Sequence, residues 1–326
     1  MKSSDTESSI MNKKNVMKRL RFFATLFLTM AMLTLLNFPQ MAEYAIPIGN
    51  FLRKLELSNE EDDTYHQRPV MHTFYDELNN PGQRITGMSL TDDRQLLKIW
   101  ADSWKSMGYR VRILTMEDVQ KHPFFYHIES LLQKVPLGRR PDYDRVCYLR
   151  WFAMATVGGG WMSDFDVIPL PGSMQDESHN NNILPGNGNF TVYDMTAQGD
   201  PVPSLMSGSS EEWDRLSNLI LEYGMKQEGL TDNIFSDFIS LIGLKESANI
   251  IQVDEVVKGH NILNTEHLIT KQNCIDLKDM RGIHISHRAM NELQQKISER
   301  PRFAEKFLQN WASVCSEGES ENVSKS

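Results

Sequence analysis

The sequence is short of cysteine, short of positive charge beyond its first twenty or so residues, and nearly free of long apolar runs. Three cysteines, Cys147, Cys274 and Cys315, permit one internal disulfide at most. Cys274 with Cys315 is the pair to test, with an unpaired thiol at each as the alternative. Positive charge is scarce in a similar way. The formal net charge is −9, and the stretch to Arg21 carries six Lys or Arg against two acids, so about −13 falls on the remainder. A surface of that sign argues against nucleic acid as a partner. It also means that an anionic ligand such as a diphosphate needs a local positive charge brought to it.

One apolar run breaks the pattern. Phe22–Phe38 is 17 residues without a charge, close to the lower limit for crossing a bilayer. Lys13, Lys14, Lys18, Arg19 and Arg21 precede it, while Glu43 and an acidic run from Glu60 to Asp63 follow. That asymmetry predicts a cytosolic N-terminus, with the rest of the chain across the membrane. A cleaved signal peptide, with Ala42 and Ala45 marking a small-residue site, is the competing reading. The long charged leader favours an uncleaved anchor; Asp5 and Glu7 disfavour a transit peptide, and a buried core helix is the third possibility. The short span fits the thinner membranes of the early secretory pathway, the endoplasmic reticulum or Golgi. Two sequons, Asn189-Phe190-Thr191 and Asn322-Val323-Ser324, are compatible with a luminal location, and chance explains either equally. The organisation expected is a cytosolic tail 1–21, a signal anchor 22–38, a polar stem 39–67, a globular domain 68–315 and a tail 316–326.

From Arg68 onward the patterning is that of a folded domain. Pro69–Tyr75 reads as a strand closed by the turn residues Asn79–Gly82. Thr91 is a candidate cap for a helix whose apolar positions Leu96, Leu97, Trp100, Trp104 and Met107 keep a 3.6-residue spacing as far as Gly108. Tyr109–Leu114 alternates like a half-buried strand. Thr115 with Asp118 reads as a second cap, and Pro123 as the start of another short helix. Strand, helix, strand, helix in that order predicts an α/β domain with a parallel sheet, whose ligands gather at the carboxyl ends of the strands.

The most informative stretch is Tyr143–Leu170. A helix capped by Asp142 carries Val146, Leu149 and Ala153 toward the sheet, with Arg150 on or near the same stripe, as a structural ion pair or an anion ligand. Gly158-Gly159-Gly160 then allow a sharp turn and a close approach of backbone to ligand, and Trp161 and Met162 bury the approach. Asp164-Phe165-Asp166 follows, ahead of Pro169 and Pro171. Two carboxylates one residue apart are often only a solvated turn. In this setting they fit a hard divalent cation, which prefers oxygen ligands and completes its shell with water and substrate phosphates.

The run from Arg150 through Gly159-Gly160-Trp161-Met162-Ser163-Asp164-Phe165-Asp166 resembles the signature of DXD-containing sugar transferases. That group includes the yeast outer-chain α-mannosyltransferases, the α-1,4-galactosyltransferases and, more distantly, bacterial toxin glucosyltransferases. Trp104, Gly108-Tyr109 and Val111–Leu114 fit the same pattern, and the likeness covers roughly Pro69 to Pro171. It implies a type II membrane enzyme with a glycosyltransferase A-type fold, Rossmann-like with a mostly parallel sheet flanked by helices. Such an enzyme uses Mn²⁺ or Mg²⁺ to move a sugar from a nucleotide-sugar donor to a glycan or glycoconjugate, with retention. It implies Asp166 as metal ligand with Asp164 as its partner toward metal and donor ribose. The family's Asp three residues before the Arg is Cys147 here, which leaves Asp144 and Arg150 as the donor-side candidates.

Later segments are read locally. Gly186–Gly188 and Ser207-Gly208-Ser209 read as loops, Thr196–Ser207 as a surface connection or an acceptor-side loop, and Ser209 with Glu212 as a capping box before Trp213, Leu216, Ile220 and Tyr223. Asp232 and Asp237, beside Phe235, Phe238, Leu241 and Ile242, are candidates to meet acceptor hydroxyls or are plain solvated caps. Gly282–Arg288 reads as a short strand with Ile283 and Ile285 on one side and His284 and Ser286 on the other. Transferases of this type often complete the metal shell from the C-terminal part of the chain, which makes His284 and His287 candidates, with Arg288 or Lys271 near the diphosphate. Two other classes compete. One is a haloacid-type phosphatase, although Ile168 stands where its motif has Thr or Val. The other is an anchored glycan- or nucleotide-sugar-binding protein without turnover, consistent with Cys147.

Overall fold

The computed structural model describes residues 47–57, 67–77, 88–138, 141–170, 184–227, 235–263 and 269–315. The run Phe22–Phe38 with its flanks, most of the stem, the turn Asn79–Gly82, Asp232, the Asn322 sequon and the tail 316–326 lie outside the described residues. Among the described residues, no helix is long and apolar enough to cross a membrane. The chain divides into two units, Met1–Phe51 and Leu52–Ser326. Of the first, only residues 47–51 are described; they open the helix Ile48–Leu57, which lies within the stretch read as stem.

The described part of the second unit is mixed α/β. Its strands are β1 (Val70–Phe74), β2 (Arg110–Leu114), β3 (Gly160–Ser163), β4 (Val167–Pro169), β5 (Thr191–Met195), β6 (Pro201–Gly208), β7 (Ile251–Gln252), β8 (Val256–Lys258) and β9 (Gly282–His284). Six of them form one sheet in the order β2-β1-β3-β6-β5-β7, and three form a second in the order β4-β9-β8. The larger sheet is parallel from β2 through β1 to β3, antiparallel on both sides of β6, and parallel again between β5 and β7. β1, with a neighbour on each side, is buried along nearly its whole length, as a strand covered on both faces should be.

The first half follows local signals closely. The helix Leu90–Ser106 buries Leu96, Leu97, Trp100 and Trp104, and Gly108 ends the segment at φ +84°. Its cap is Ser89 rather than Thr91: the Ser89 hydroxyl accepts from Asp92 N at 3.1 Å, and Asp92 Oδ2 accepts from Ser89 N at 2.9 Å. Thr91 lacks a matching acid three residues on, whereas Ser89 has Asp92. Thr115 and Asp118 form the same reciprocal cap on the helix Met116–Gln120. The next helix, Phe125–Leu132, begins two residues after Pro123. The helix Pro141–Thr156 starts before Asp142, which therefore sits in its first turn instead of capping it.

That helix is buried continuously from Cys147 to Met154, because it lies in a core with the helix Ser210–Met225 on one side and strands of the large sheet on the other. Trp151 stacks on Phe190 at 5.5 Å between ring centroids and tilts against Trp213 at 5.4 Å. The three glycines after it all have positive φ. At Gly159 the constraint is double, since a Cβ there would meet Ser209 C and Ser210 N at 2.7 Å. Glycine thus lets the turn press against the start of the helix Ser210–Met225. Only half of the Ser209 box forms: Ser209 accepts from Glu212 N, while the Glu212 carboxylate turns to Arg215 and to Phe190 N.

Most of Thr196–Ser207 is strand β6, a buried member of the large sheet, rather than a surface connection or an acceptor-side loop. Two prolines, two serines and the following glycine give it a loop's composition; burial on both faces and pairing on both edges override that signal. A second apolar cluster lies under the small sheet, where Ile168, Ile283 and Ile285 meet Leu96, Phe303, Phe307 and Trp311. Beside it a Cys274–Cys315 disulfide joins the helix Lys271–Asp276 to the helix Arg300–Cys315, and Cys147 is a buried free thiol.

Candidate functional site

Asp164, Phe165 and Asp166 are the entire link between β3 of the large sheet and β4 of the small one. Backbone pairing fixes both aspartates. Asp164 N donates to Ser204 O at 2.7 Å, extending the β3–β6 ladder by one residue. On the other sheet Val167 pairs with His284, and Ile285 N donates to Asp166 O at 2.9 Å. The register therefore carries the His284 ring to the Asp166 carboxylate. The link also falls at a change of strand order, because β1 has parallel neighbours on both sides, β2 and β3. In α/β sheets the crevice at such a point, outside the carboxyl ends of the strands, is where ligands bind. Tyr75, just past β1, meets the Phe165 ring edge-on at 5.8 Å, so the loops after the two strands touch.

The candidate residues distribute as follows. One ligand atom each from Asp164, Asp166 and His284 lies within 4.8 Å of the others. His284 Nε2 stands 3.6 Å from Asp166 Oδ1, too far for a hydrogen bond. Arg150 forms an ion pair with Asp164 and donates to Asp237 Oδ2 through Nε at 3.1 Å and Nη2 at 2.6 Å. Arg150 is thus a structural ion-pair residue bridging two carboxylates. His287 lies outside the three-residue cluster and accepts from Arg300 at 3.3 Å. Asp144 lies in the first turn of the helix Pro141–Thr156, where its charge is felt by Tyr148.

Asp237 is neither solvated nor free for a sugar hydroxyl. It is buried, takes Trp151 Nε1 at 3.0 Å besides Arg150, and accepts from Phe238 N at 2.8 Å at the start of its own helix, Asp237–Leu244. The basic groups at the carboxylates are also not the ones the sequence suggests. Arg288 is 66% exposed and pairs with Glu292, and Lys271 is exposed on its short helix. Their place is taken by Arg300, 2% exposed, whose Nη2 donates to Asp166 Oδ2 at 2.5 Å, and by Lys258, which pairs with Asp194. Asp194 in turn accepts from His284 Nδ1 at 2.7 Å. These three residues come from distant elements, and no local spacing marks them.

The electrostatics separate the two aspartates. Burial by itself would raise Asp166, but Arg300, then His284 and His287, outweigh it and hold the carboxyl well below its usual range. Asp164 moves upward, because burial and the charge of Asp166 outweigh Arg150. Its side chain is the more open of the two, 32% exposed against 12%. Among the described residues the network sets four carboxylates (Asp164, Asp166, Asp194, Asp237) against three cations (Arg150, Lys258, Arg300). An unbalanced negative charge, two carboxylates and an imidazole with one nitrogen already donating make a donor set that fits Mn²⁺ or Mg²⁺. Cys147, where the resemblance expects an Asp, is pushed well above the ordinary thiol range by burial and is a neutral filler.

A family model described as a domain of unknown function, DUF8765, matches residues 63–184, which includes the aspartate link. No curated protein matches the chain. Among solved structures, the chain is similar to one titled as a glycosyltransferase involved in the glycosylation of the major capsid of PBCV-1. The match has 11% identity and a TM-score of 0.37, and covers 72% of this chain and 98% of that one.

Proposed function

We propose that this chain is a metal-dependent glycosyltransferase, moving a sugar from a nucleotide-sugar donor to a glycan or glycoconjugate with retention. The observation that carries this reading is the convergence of Asp164, Asp166 and His284 at the carboxyl end of β3, beside a change of strand order. The sequence resemblance supports it, and adds Phe22–Phe38 as the anchor of a type II protein whose enzymatic part faces the Golgi or endoplasmic reticulum lumen.

In this reading Asp164, Asp166 and His284 Nε2 hold Mn²⁺ or Mg²⁺. When bound, that ion supplies stabilisation of the negative charge that gathers on the diphosphate as the sugar–phosphate bond breaks. Arg150 keeps Asp164 oriented and, with Asp144, forms the donor side; Arg300 fixes Asp166 from behind, backed by His287. The sequential position of the aspartates, before and after Phe165, lets one link present both carboxylates to the same point. No side chain is assigned as a nucleophile.

The test is a panel of nucleotide-sugars with the purified full-length protein and Mn²⁺, following nucleotide release, alongside Asp166→Asn. Metal-dependent release of one nucleotide, lost in the variant, is expected and names the donor. Absence of binding to every donor, with or without metal, sinks the enzymatic reading. The neutral Cys147 favours a second one, binding without turnover, which the same panel reveals as metal-dependent binding with no release.

A further inference from the structure

Asp194, on β5, is a fully buried acid that touches the proposed metal site through His284. An ionised carboxylate in that position is costly unless its oxygens are hydrogen-bonded and its charge is paired, and here both oxygens have partners. Oδ2 accepts from His284 Nδ1 at 2.7 Å and from Ser204 Oγ at 2.5 Å, while Oδ1 takes Lys258. The partners come from both sheets, Ser204 from β6 of the large one, Lys258 and His284 from β8 and β9 of the small one. The pairing of β5 with β6 slips between Val192 and Asp194, an irregularity of the kind that re-aims side chains next to sites.

Resting on the proposed metal site, we infer that Asp194 is a positioning residue that sets the tautomer and orientation of His284. With Nδ1–H donated to Asp194, the lone pair of the imidazole lies on Nε2, the nitrogen that faces Asp166. The opposite tautomer would direct an N–H at the cation site and leave the buried Asp194 oxygen facing a bare nitrogen. Carboxylate partners of ligating histidines act in this way generally, and their removal typically weakens a metal tenfold to a hundredfold. The same carboxylate steadies the other side of the site, because Ser204 donates its hydroxyl to Asp194 while its carbonyl holds Asp164 N. Lys258 balances the charge of Asp194.

The first measurement needs neither metal nor turnover. Full-length protein labelled with ¹⁵N at histidine is examined metal-free by two-bond ¹H–¹⁵N spectra in mildly alkaline buffer, with His284→Gln giving the assignment. The His284 proton is expected on Nδ1, and a ring that carries it on Nε2 overturns the inference, whatever any Asp194 variant does. The second is Mn²⁺ affinity, read from the free-ion electron paramagnetic resonance signal, for wild type, Asp194→Asn, His284→Gln and the double variant. Asp194→Asn is expected to weaken Mn²⁺ at least tenfold and to add nothing once His284 is gone. An equal loss in the His284→Gln background would make Asp194 a structural group only. Failure of the glycosyltransferase reading looks different: donors then fail to be cleaved while His284 still carries its proton on Nδ1.

Discussion

Arg150 and Trp151 are neighbours in one turn of one helix, yet they enter two kinds of interior. The Trp151 ring joins Phe190 and Trp213 in an apolar wall and reaches the charges only at its edge, where Nε1 donates to Asp237, while Arg150 enters a junction of alternating charges that runs from Asp237 through Asp164. In the wall, each side chain is stabilised by contact and by removal from water, and the loss of one leaves a cavity. In the junction each group exists because of its partners, so the loss of one leaves an uncompensated charge. The wall makes the fold stable. The junction takes an arrangement of low intrinsic stability and holds it where two sheets meet.

The largest effects should separate the two by the sign of their coupling. Arg150→Met strands Asp237 and Asp164 and should cost about 3–5 kcal/mol in urea unfolding. Adding Asp237→Leu should recover part of that loss, since the deeper stranded charge is gone. Trp213→Ala should cost about as much, roughly 3–5 kcal/mol, by leaving a cavity and the Gly160 carbonyl without its 3.0 Å partner. There, adding Phe190→Ala should deepen the loss. If the double variant in the junction is also worse than Arg150→Met alone, the charge account of that region is wrong.

A somewhat smaller effect probes a polar group placed on the wrong side of this division. His72 on β1 is buried in the large sheet and donates from Nδ1 to Trp161 O at 2.9 Å. Burial lowers its pKa from 6.5 to about 4, against the opposing pull of the Trp161 bond. The unfolded chain therefore binds a proton at a higher pH than the folded one. The stabilisation is complete above pH 6.5 and is lost as the pH falls toward 4, by up to about 3 kcal/mol. Urea midpoints of wild type and His72→Gln, compared at neutral pH and near pH 4.5, should converge on acidification. Parallel curves would mean that His72 does not titrate with folding.

The same division explains what the sequence made legible. The strand–helix–strand–helix order to Gly158 is carried by neighbours three and four residues apart, and those signals survive folding. Strand β6 was hidden because Pro201, Pro203, Ser204 and Gly208 look like a loop, and only pairing on both edges makes them a strand. In the candidate site, Asp164-Phe165-Asp166 and the Ile283–Ile285 alternation are visible as local patterns. Their partners are not: Arg300 lies 134 residues from Asp166, Asp237 lies 87 from Arg150, and Asp194 lies 90 from His284. A charge network of this reach is a property of topology, which spacing along the chain does not encode.

The smallest effect belongs to a group in neither interior. Ser89 and Asp92 lie at the surface and close the first turn of the helix Leu90–Ser106, whose buried face carries Leu96 into the apolar cluster under the small sheet. Trp100 of the same helix donates from Nε1 to Ser163 Oγ at 2.7 Å, one residue before the aspartate link. Ser89→Ala removes the cap and should lower stability by about 1 kcal/mol. Because the helix is fixed along its buried face, the loss should stop at the first turn. Mn²⁺ affinity should then remain at the wild-type value while the urea midpoint falls. A matching fall in affinity would instead mean that the junction takes its geometry from the helix as a whole, through Trp100 and Ser163, and that the division between a stabilising wall and a self-held junction is too sharp.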